Sequence, residues 1–174
     1  MAFNFLPISI EEITYADLPK LRNVSVETFN NSFKKEGADL SNYTDHNFNY
    51  GQLASEMINP QSHFYFIYYD HKLAGYLKLN LYKTQSQPMG NDALEIDRIY
   101  IRQNFEYIGL ESKLIKFAFE QAKKFNKHTV WSSVWEHDKP VVHTYNKFGF
   151  TATDSQIFKL AGKLQKDLVM KVSL

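Results

Sequence analysis

The sequence predicts one α+β (mixed α/β) domain covering residues 1–174. Three observations lead to this fold class. Helical periodicity recurs near the N-terminus, a series of strand-like runs follows it, and a strand–helix–strand unit occupies the second half. A chain of 174 residues suits one domain with a sizeable core, and no internal repeat or low-complexity tract divides it.

The N-terminal third predicts two helices after a short extended start. In "TYADLPKLRNVSVETFNNSF", apolar side chains from Leu18 to Phe29 recur at roughly helical spacing, and Thr14 or Asp17 is a suitable N-cap. A second helix is predicted over residues 50–58. Asn59 precedes a proline, which disfavours helical backbone and ends this element.

The remaining elements alternate between strand-like and helical patterns. "HFYFIYYD" and "KLAGYLKLN" predict two strands joined by a tight turn, and "KTQSQPMGND" predicts a loop. "ALEIDRIYI" is a third strand, and "SKLIKFAFEQAKKFN" has the apolar stripe of an amphipathic helix. "HTVWSSVW" is a strand, "KPVVHTYNKF" is a short helix ended by Gly149, and "SQIFKL" and "LVMKVSL" are closing strands.

Composition excludes several classes of function. A formal net charge of +1 without a lysine-rich run gives no surface for a nucleic acid backbone. The absence of cysteine excludes disulfides and thiolate catalysis, and the histidines are too widely spaced for a metal site. No apolar stretch is long enough to cross a membrane, and the N-terminus lacks a signal-peptide pattern, so we expect a cytoplasmic protein.

Six short stretches of the sequence resemble a known family, and they occur in the same order as in that family. They are "ETFNNSF", "GYLKLN", "LEIDRIYI", "VWEHD", "YNKFGF" and "KDLVMKVSL". Together they resemble the GNAT superfamily of acetyl-CoA-dependent N-acetyltransferases over nearly the whole chain, and most closely its bacterial spermidine/spermine N-acetyltransferase-like branch. The resemblance implies a twisted, mostly antiparallel central sheet with helices on both faces. It also implies acetyl-CoA as co-substrate, a small-molecule amine as acceptor, and allows a homodimer.

The cofactor loop departs from the pattern of that family. The family reads Gln/Arg-x-x-Gly-x-Gly/Ala, and its backbone amides hold the pyrophosphate of coenzyme A. The corresponding positions here, with the residue that follows, are Glu106, Tyr107, Ile108, Gly109, Leu110, Glu111 and Ser112. Small residues let the backbone approach the phosphates, whereas Glu111 adds bulk and a negative charge. Alternatively, Glu111 is simply an acid that interacts favourably with the helix dipole.

The resemblance assigns further cofactor contacts. Ile99, Tyr100 and Ile101 would line the pantetheine arm through main-chain hydrogen bonds. Asp138 stands where the family usually has an asparagine, so it keeps an acceptor and loses an amide donor. Lys147 would lie near a phosphate, or would simply be a solvated lysine.

Tyr145 is the predicted general acid. Expulsion of coenzyme A releases a thiolate, and a phenol with an ordinary pKa of about 10 is able to donate a proton to that sulfur. The resemblance places Tyr145 in this role. The competing interpretation is a core aromatic, because Val141, Val142 and Phe148 share its helix face.

Glu95 is the predicted general base. The acceptor amine must lose a proton before it attacks, and the resemblance puts a carboxylate at this strand position. Asp97 and Glu136 are lesser options, and the competing interpretation of Glu95 is a salt bridge with Arg98. A free backbone N–H beside the strand would hold the oxyanion.

The sequence leaves three functions open. The first is acetyl transfer to a primary amine, and acidic residues in the N-terminal segment (Glu27, Glu36 and Asp39) suit a cationic acceptor such as a polyamine. The second is a binding or regulatory domain with weakened or lost acetyl-CoA binding, which Glu106 and Glu111 suggest. The third is acetylation of a protein or peptide terminus.

Overall fold

One mixed sheet organises the part of the chain that the computed structural model describes, residues 6–33 and 39–174. Within these ranges the sheet has seven strands in the order β1-β2-β3-β4-β5-β7-β6. The strands are β1 (Ile8–Glu12), β2 (Ser62–Tyr69), β3 (Lys72–Leu81), β4 (Ala93–Ile101), β5 (Thr129–Trp135), β6 (Thr151–Leu160) and β7 (Lys163–Ser173). Neighbouring strands are antiparallel except β4 and β5, which are parallel.

Helices cover both faces of this sheet. They are α1 (Leu18–Phe33), α2 (Ser41–Asn47), α3 (Tyr50–Ile58), α4 (Leu110–Lys124) and α5 (Lys139–Lys147). Short helix α2 was not predicted as a separate element, because its sequence has no apolar stripe, and β6 and β7 are longer than the predicted strands. The predicted fold class, a mostly antiparallel sheet between two helical layers, is confirmed.

Two apolar clusters define the faces of the sheet. On the face packed against α4 and α5, which we call the α4 face, Leu77, Leu94 and Ile96 meet the apolar stripe of α4. On the opposite face, the α1 face, Phe66 and Tyr76 pack against α1, α2 and α3. Side chains alternate between faces along a strand, so β2, β3 and β4 each contribute to both clusters.

A gap opens where β4 and β5 stop pairing. The two strands pair at three positions, the last of which is Glu95 opposite Trp131. Beyond that point β4 remains paired with β3 as far as Ile101, while β5 remains paired with β7 as far as Trp135. We call the space between residues 96–101 and 132–135 the β4–β5 gap.

A bulge lies on β4 at the start of the gap. Lys78 of β3 pairs with Arg98 and the next residue of β3 pairs with Ile96, so Asp97 is the extra residue. A bulge bends its strand and increases the local twist. It also changes the alternation of side chains, since Ile96 and Ile99 both face α4 although they are three residues apart. The bulge therefore leads β4 away from β5.

Among the described residues, no helix has both the length and the apolar character that crossing a bilayer requires.

Gly75 generates a prediction about stability. It lies on β3 opposite Ile101, and a Cβ atom there would stand 2.2 Å from the carbonyl oxygen of Tyr100 and 2.9 Å from Ile101 Cδ1. Backbone cannot yield as a flexible side chain does, so Gly75→Ala should lower the free energy of unfolding by about 3 kcal/mol. Urea denaturation measures this change.

Gly51→Ala is the matched control, because the nearest atom to a Cβ in that helical position is 3.5 Å away. We expect a change within about 1 kcal/mol, in the stabilising direction. Equal effects of the two substitutions would show that the close approach of β3 and β4 at Gly75 is not a constraint on the fold.

Candidate active site

The turn from β4 into α4 exposes a row of backbone amides. Tyr107 and Gly109 both have positive φ angles, 64° and 89°, and α4 begins at Leu110. A Cβ at Gly109 would meet nothing within 4 Å, so backbone conformation and not crowding selects glycine here. The first amides of a helix have no partner within it and attract anions. The turn thus has the geometry of an anion site despite its acidic side chains.

Glu111 lies in the first turn of α4, close enough to Asp138 at the start of α5 to be affected by its charge. Its side chain is half-buried, and burial raises the pKa of its carboxyl to about 7. The negative charges of Asp138 and Glu106 raise it further. Because three acids from separate segments act on one another, the carboxyl of Glu111 does not simply extend into solvent. The other residues of the turn, from Glu106 to Ile108, are exposed.

The remaining predicted cofactor residues occupy different environments. Asp138 is the N-cap of α5, where its Oδ1 accepts a hydrogen bond from the Val141 amide at 3.4 Å. Lys147 is exposed in the last turn of α5. Ser112 is half-buried in the first turn of α4, next to Glu111. Leu110 is buried in the core on the α4 face.

Of the three β4 residues predicted to line the pantetheine arm, Ile99 and Ile101 direct their main-chain groups to one edge of the strand and Tyr100 to the other. The backbone of Tyr100 pairs with Tyr76 of β3, and the Arg102 amide donates to the Ala74 carbonyl at 2.7 Å. Successive residues of a strand direct their N–H and C=O groups to opposite edges. Ile99 and Ile101 therefore turn their main-chain groups toward the β4–β5 gap, whereas the ring of Tyr100 stacks on Tyr76 on the α1 face.

Tyr145 lies on the α4 side of the gap. It is 0% exposed, its ring packs on Phe150, and its hydroxyl donates to Ser132 Oγ at 3.3 Å. Ser132 in turn donates to the Ile96 carbonyl oxygen at 2.8 Å, which joins β5 to β4 across the start of the gap. Burial raises the pKa of Tyr145, so its hydroxyl keeps its proton at neutral pH. Tyr145 is therefore a core aromatic, as the competing interpretation held, and its protonated hydroxyl donates a hydrogen bond at the gap.

Glu95 lies on the opposite, α1 side of the same gap. Its carboxyl is 1% exposed and accepts hydrogen bonds from Asn80 Nδ2 at 3.2 Å and the Ser86 amide at 2.8 Å, both on Oε2. Its Oε1 accepts from the Ser86 hydroxyl. Burial raises the pKa of Glu95 to about 7, and the charge of Asp97 adds to the rise, although the hydrogen bonds oppose it. Such a carboxylate accepts a proton readily at neutral pH.

An ionic network accounts for the charged neighbours of Glu95. Asp97 pairs with Lys78 at 2.8 Å, while Arg98, the alternative partner for Glu95, pairs with Glu56 at 2.7 Å. Burial acts to raise the pKa of Asp97, but the charges of Lys78 and Arg98 outweigh it and hold the pKa below its usual value.

Glu136, the other candidate base, is half-buried at the end of β5, with its carboxylate 3.8 Å from Lys166 Nζ. Glu95 combines a raised pKa with hydrogen bonds from neutral groups, which are the properties of a base, whereas Asp97 and Glu136 lie next to lysine side chains.

A cavity of about 570 Å³ lies on the α1 side between α2 and the β6–β7 turn. It is lined by Asp39, Asn42, Tyr43, His46, Asn47, Lys159, Ala161 and Gly162. Of the acids predicted to attract a cationic acceptor, Asp39 lines this cavity and Glu27 is paired with Arg102 at 2.9 Å. Glu36 lies outside the described residues.

Comparison with known proteins identifies the family. The family model described as "Acetyltransferase (GNAT) family" matches residues 18–150. The chain belongs to the GNAT acetyltransferase family. A curated relative, an uncharacterized N-acetyltransferase in the pepI 3′ region of Lactobacillus delbrueckii subsp. lactis, is 33% identical over 169 residues, which are 96% of this chain and 98% of the relative. This GNAT protein is an acetyl-CoA-dependent N-acetyltransferase, so the predicted enzyme class and co-substrate are confirmed.

Solved structures share the fold of this GNAT protein. The PaiA N-acetyltransferase of Thermoplasma acidophilum, solved with coenzyme A, is 17% identical with a TM-score of 0.79 over 97% of this chain and all of that one. A variant of the spermidine N-acetyltransferase SpeG of Vibrio cholerae is 15% identical, with a TM-score of 0.70 over 95% of this chain and 93% of that one.

The structure adds three residues that the sequence analysis did not select, Asn80, Ser86 and Ser132. Serine and asparagine are common in loops and strands, and the spacing of these three residues relative to Glu95 and Tyr145 forms no recognisable motif. Their contacts with Glu95 and Tyr145 arise only when separate segments meet. Among the described residues, no group of three or more potential metal ligands is arranged to hold an ion.

The raised pKa of Glu111 generates a prediction about stability. Its folded pKa of about 7 exceeds the ordinary 4.5, so the stability linked to its proton is present below pH 4.5 and is lost as pH rises through 7. Glu111→Gln removes the charge and should raise the free energy of unfolding at pH 8 by about 1 kcal/mol. At pH 5 the gain should be much smaller, and urea denaturation at both pH values measures it.

Glu120→Gln provides the control, because Glu120 is exposed on the same helix. Its substitution should change stability by less than about 0.5 kcal/mol at either pH. A Glu111→Gln effect that is the same at pH 5 and pH 8 would contradict the convergence of the three acids.

Proposed function

We propose that this enzyme transfers the acetyl group of acetyl-CoA to a primary amine of a small cationic molecule in the β4–β5 gap. Glu95 acts as general base and Tyr145 as general acid. The observation that carries this proposal is their placement: a carboxyl with a pKa of about 7 and a protonated phenol border the same gap from opposite faces of the sheet.

The cofactor would enter from the α4 side. Its pyrophosphate would bind the backbone amides from Gly109 to Ser112, where the helix dipole of α4 favours anions. Its pantetheine arm would extend along β4 and hydrogen-bond the main-chain groups of Ile99 and Ile101. This path ends beside Tyr145, whose hydroxyl would then lie near the sulfur. Asp138, at the N-terminus of α5, and Lys147, at its C-terminus, would border the opposite wall of the cleft between α4 and α5.

Each partner then has a defined role in the reaction. The ammonium form of the acceptor loses a proton that is finally held by Glu95, and the neutral nitrogen attacks the thioester carbonyl. A main-chain N–H of β4 stabilises the oxyanion. As the carbon–sulfur bond breaks, the thiolate takes the hydroxyl proton of Tyr145. The nitrogen releases its second proton to water, and Tyr145 regains a proton from water before the next turnover. The products are an acetamide and coenzyme A, and the proton held by Glu95 returns to water.

Glu111 would make cofactor binding depend on pH. Below pH 7 its carboxyl is mostly neutral, and above pH 7 it adds a negative charge to a cleft that must hold phosphates. A unit charge about 7 Å away contributes about 2 kcal/mol at an effective dielectric of about 20, before screening. Cofactor affinity should therefore fall as pH rises through 7.

A polyamine is the proposed acceptor class. The cavity between α2 and the β6–β7 turn opens on the same face as Glu95, and Asp39 offers a carboxylate to a second ammonium group. The SpeG spermidine N-acetyltransferase shares the fold, which supports this class. The same cavity is also lined by Lys159 and His46, which suit a small polar amine as well as a polyamine. Cytoplasmic location and a homodimer remain predictions.

The proposed reaction is tested by following release of free thiol from acetyl-CoA. The protein contains no cysteine, so it contributes no background to a thiol reagent. Spermidine, spermine, lysine and a peptide with a free N-terminus are compared at pH 7.5. We expect turnover with the polyamines, and mass spectrometry should show one added acetyl group. If only the peptide is acetylated, the acceptor is the N-terminus of a protein or peptide and not a small amine. Absence of turnover with every amine would contradict the proposed function.

Tyr145→Phe tests the role of the general acid. Removal of the hydroxyl should lower kcat by about 10² to 10⁴-fold, because the thiolate then leaves without a proton donor. The affinity for coenzyme A, measured by calorimetry, should change less than about threefold, a difference below 1 kcal/mol. Phe148→Leu is the control for packing of α5. An equal loss of turnover and affinity in Tyr145→Phe would assign the hydroxyl to binding.

A further inference from the structure

We propose that Ser86 is the proton relay of this enzyme: its hydroxyl accepts a proton from the acceptor amine and passes its own proton to Glu95. This inference rests on the proposed function, because it presupposes Glu95 as the base. It assigns a chemical role to the loop between β3 and β4, residues 82–92, which by sequence alone is predicted only to connect two strands.

The surroundings of Glu95 exclude direct contact with a substrate. Its side chain is 1% exposed, and its Oε2 already accepts two hydrogen bonds, from Asn80 and from the Ser86 amide. The remaining oxygen, Oε1, accepts from the Ser86 hydroxyl. A proton that reaches this carboxylate therefore arrives at Oε1, and Ser86 stands on that path.

Ser86 itself is exposed to solvent, and its hydroxyl contacts the carboxyl of Glu95. Its hydroxyl uses its one hydrogen for Glu95, so both lone pairs remain available to accept a hydrogen bond from an ammonium group. A buried base and an exposed hydroxyl in direct contact form the shortest route from the surface to the carboxylate.

The loop holds Ser86 in place from both sides. On one side Gln85 Oε1 accepts from the indole nitrogen of buried Trp131 at 2.7 Å, and Gln85 Nε2 donates to the Gly90 carbonyl at 3.1 Å. On the other side Gln87 donates to Gln156 of β6. Because each neighbour is anchored to a different strand, the hydroxyl of Ser86 is fixed over β4 and not left to a mobile loop.

The loop is continuous with the proposed acceptor cavity. Gln156 and Phe158 are two residues apart on β6 and so lie on the same face. Phe158 packs edge-on against Tyr43, with ring centroids 5.9 Å apart, and Tyr43 lines the cavity. An amine that extends from this cavity along the α1 face would approach the position of Ser86.

The proton transfer balances without another reactant. The ammonium nitrogen gives one proton to Ser86 Oγ, while the original hydroxyl proton moves to Glu95 Oε1. Serine ends unchanged, the acceptor is a neutral amine, and the carboxyl is neutral. After the acetyl group has been transferred, the carboxyl returns its proton through the same hydroxyl to water.

Charged groups near Glu95 help to keep its pKa close to neutral pH, where this proton transfer takes place. Asp97, on the same strand, raises the pKa of Glu95, and its own charge is paired with Lys78 of β3. Glu56 of α3 pairs with Lys78 and with Arg98. Asn80 and Ser86, which contact the carboxyl directly, are neutral, so Glu95 is the group expected to titrate near pH 7.

The test compares variants of the full-length protein with spermidine between pH 6 and pH 9.5. In Ser86→Ala, kcat/KM at pH 7 should fall by about 10²-fold, the size of a lost acid–base contribution. The deficit should narrow as pH rises, because a growing fraction of the amine no longer needs a base. Ser86→Thr keeps a hydroxyl and should retain activity within about fivefold. Lys83→Ala, at an exposed position of the same loop, should also retain activity within about fivefold.

A double variant separates the relay from a structural role. If Ser86 acts through Glu95, Ser86→Ala combined with Glu95→Gln should be no slower than Glu95→Gln alone. Calorimetry with coenzyme A should show unchanged affinity in Ser86→Ala, which establishes an intact fold. A deficit of the same size at every pH, or additive losses in the double variant, would overturn the relay while leaving the transferase intact. A wild-type protein without activity would overturn both proposals.

Discussion

The early end of pairing between β4 and β5 is the constraint on which the site depends. Each of these strands keeps its other neighbour. The two halves of the sheet are therefore joined at the N-terminal ends of β4 and β5 and separate toward the C-terminal ends of these strands. The bulge at Asp97 bends β4 at this point. Unpaired main-chain groups are costly when buried, and here they border an opening that a ligand is able to fill. A flat, fully paired sheet would separate the two helical layers completely.

Glu95 and Asp97 show how neighbours decide the chemistry of two similar acids. They lie two residues apart on β4, and burial acts to raise the pKa of both carboxyls. Lys78 reaches Asp97 and holds its pKa low, whereas Glu95 receives hydrogen bonds from neutral groups and keeps a pKa of about 7. One acid is therefore a permanent member of an ion pair, and the other is able to exchange a proton at neutral pH.

The acids at the entrance of α4 set the second distinctive property of the enzyme. A helix N-terminus and a left-handed glycine present amides to an anion, while Glu111 and Asp138 bring negative charge to the same cleft. The two effects oppose each other, and in the proposed mode of cofactor binding the protonation of Glu111 near pH 7 would favour the anion. The same carboxyl also raises the pKa of Tyr145, so the two sides of the cleft are electrostatically linked.

The sequence by itself determined the fold class and most of the elements, because periodicity records which face of an element is buried. Its resemblance to the GNAT family supplied both residues of the proposed acid–base pair. Periodicity did not separate α2, whose short polar sequence carries no stripe. Only the tertiary structure decided that Ser86 contacts Glu95, that Ser132 joins Tyr145 to β4, and that Arg98 pairs with Glu56. Those contacts join segments that are distant in sequence or separated by a loop, and local patterns contain no information about where separate segments meet.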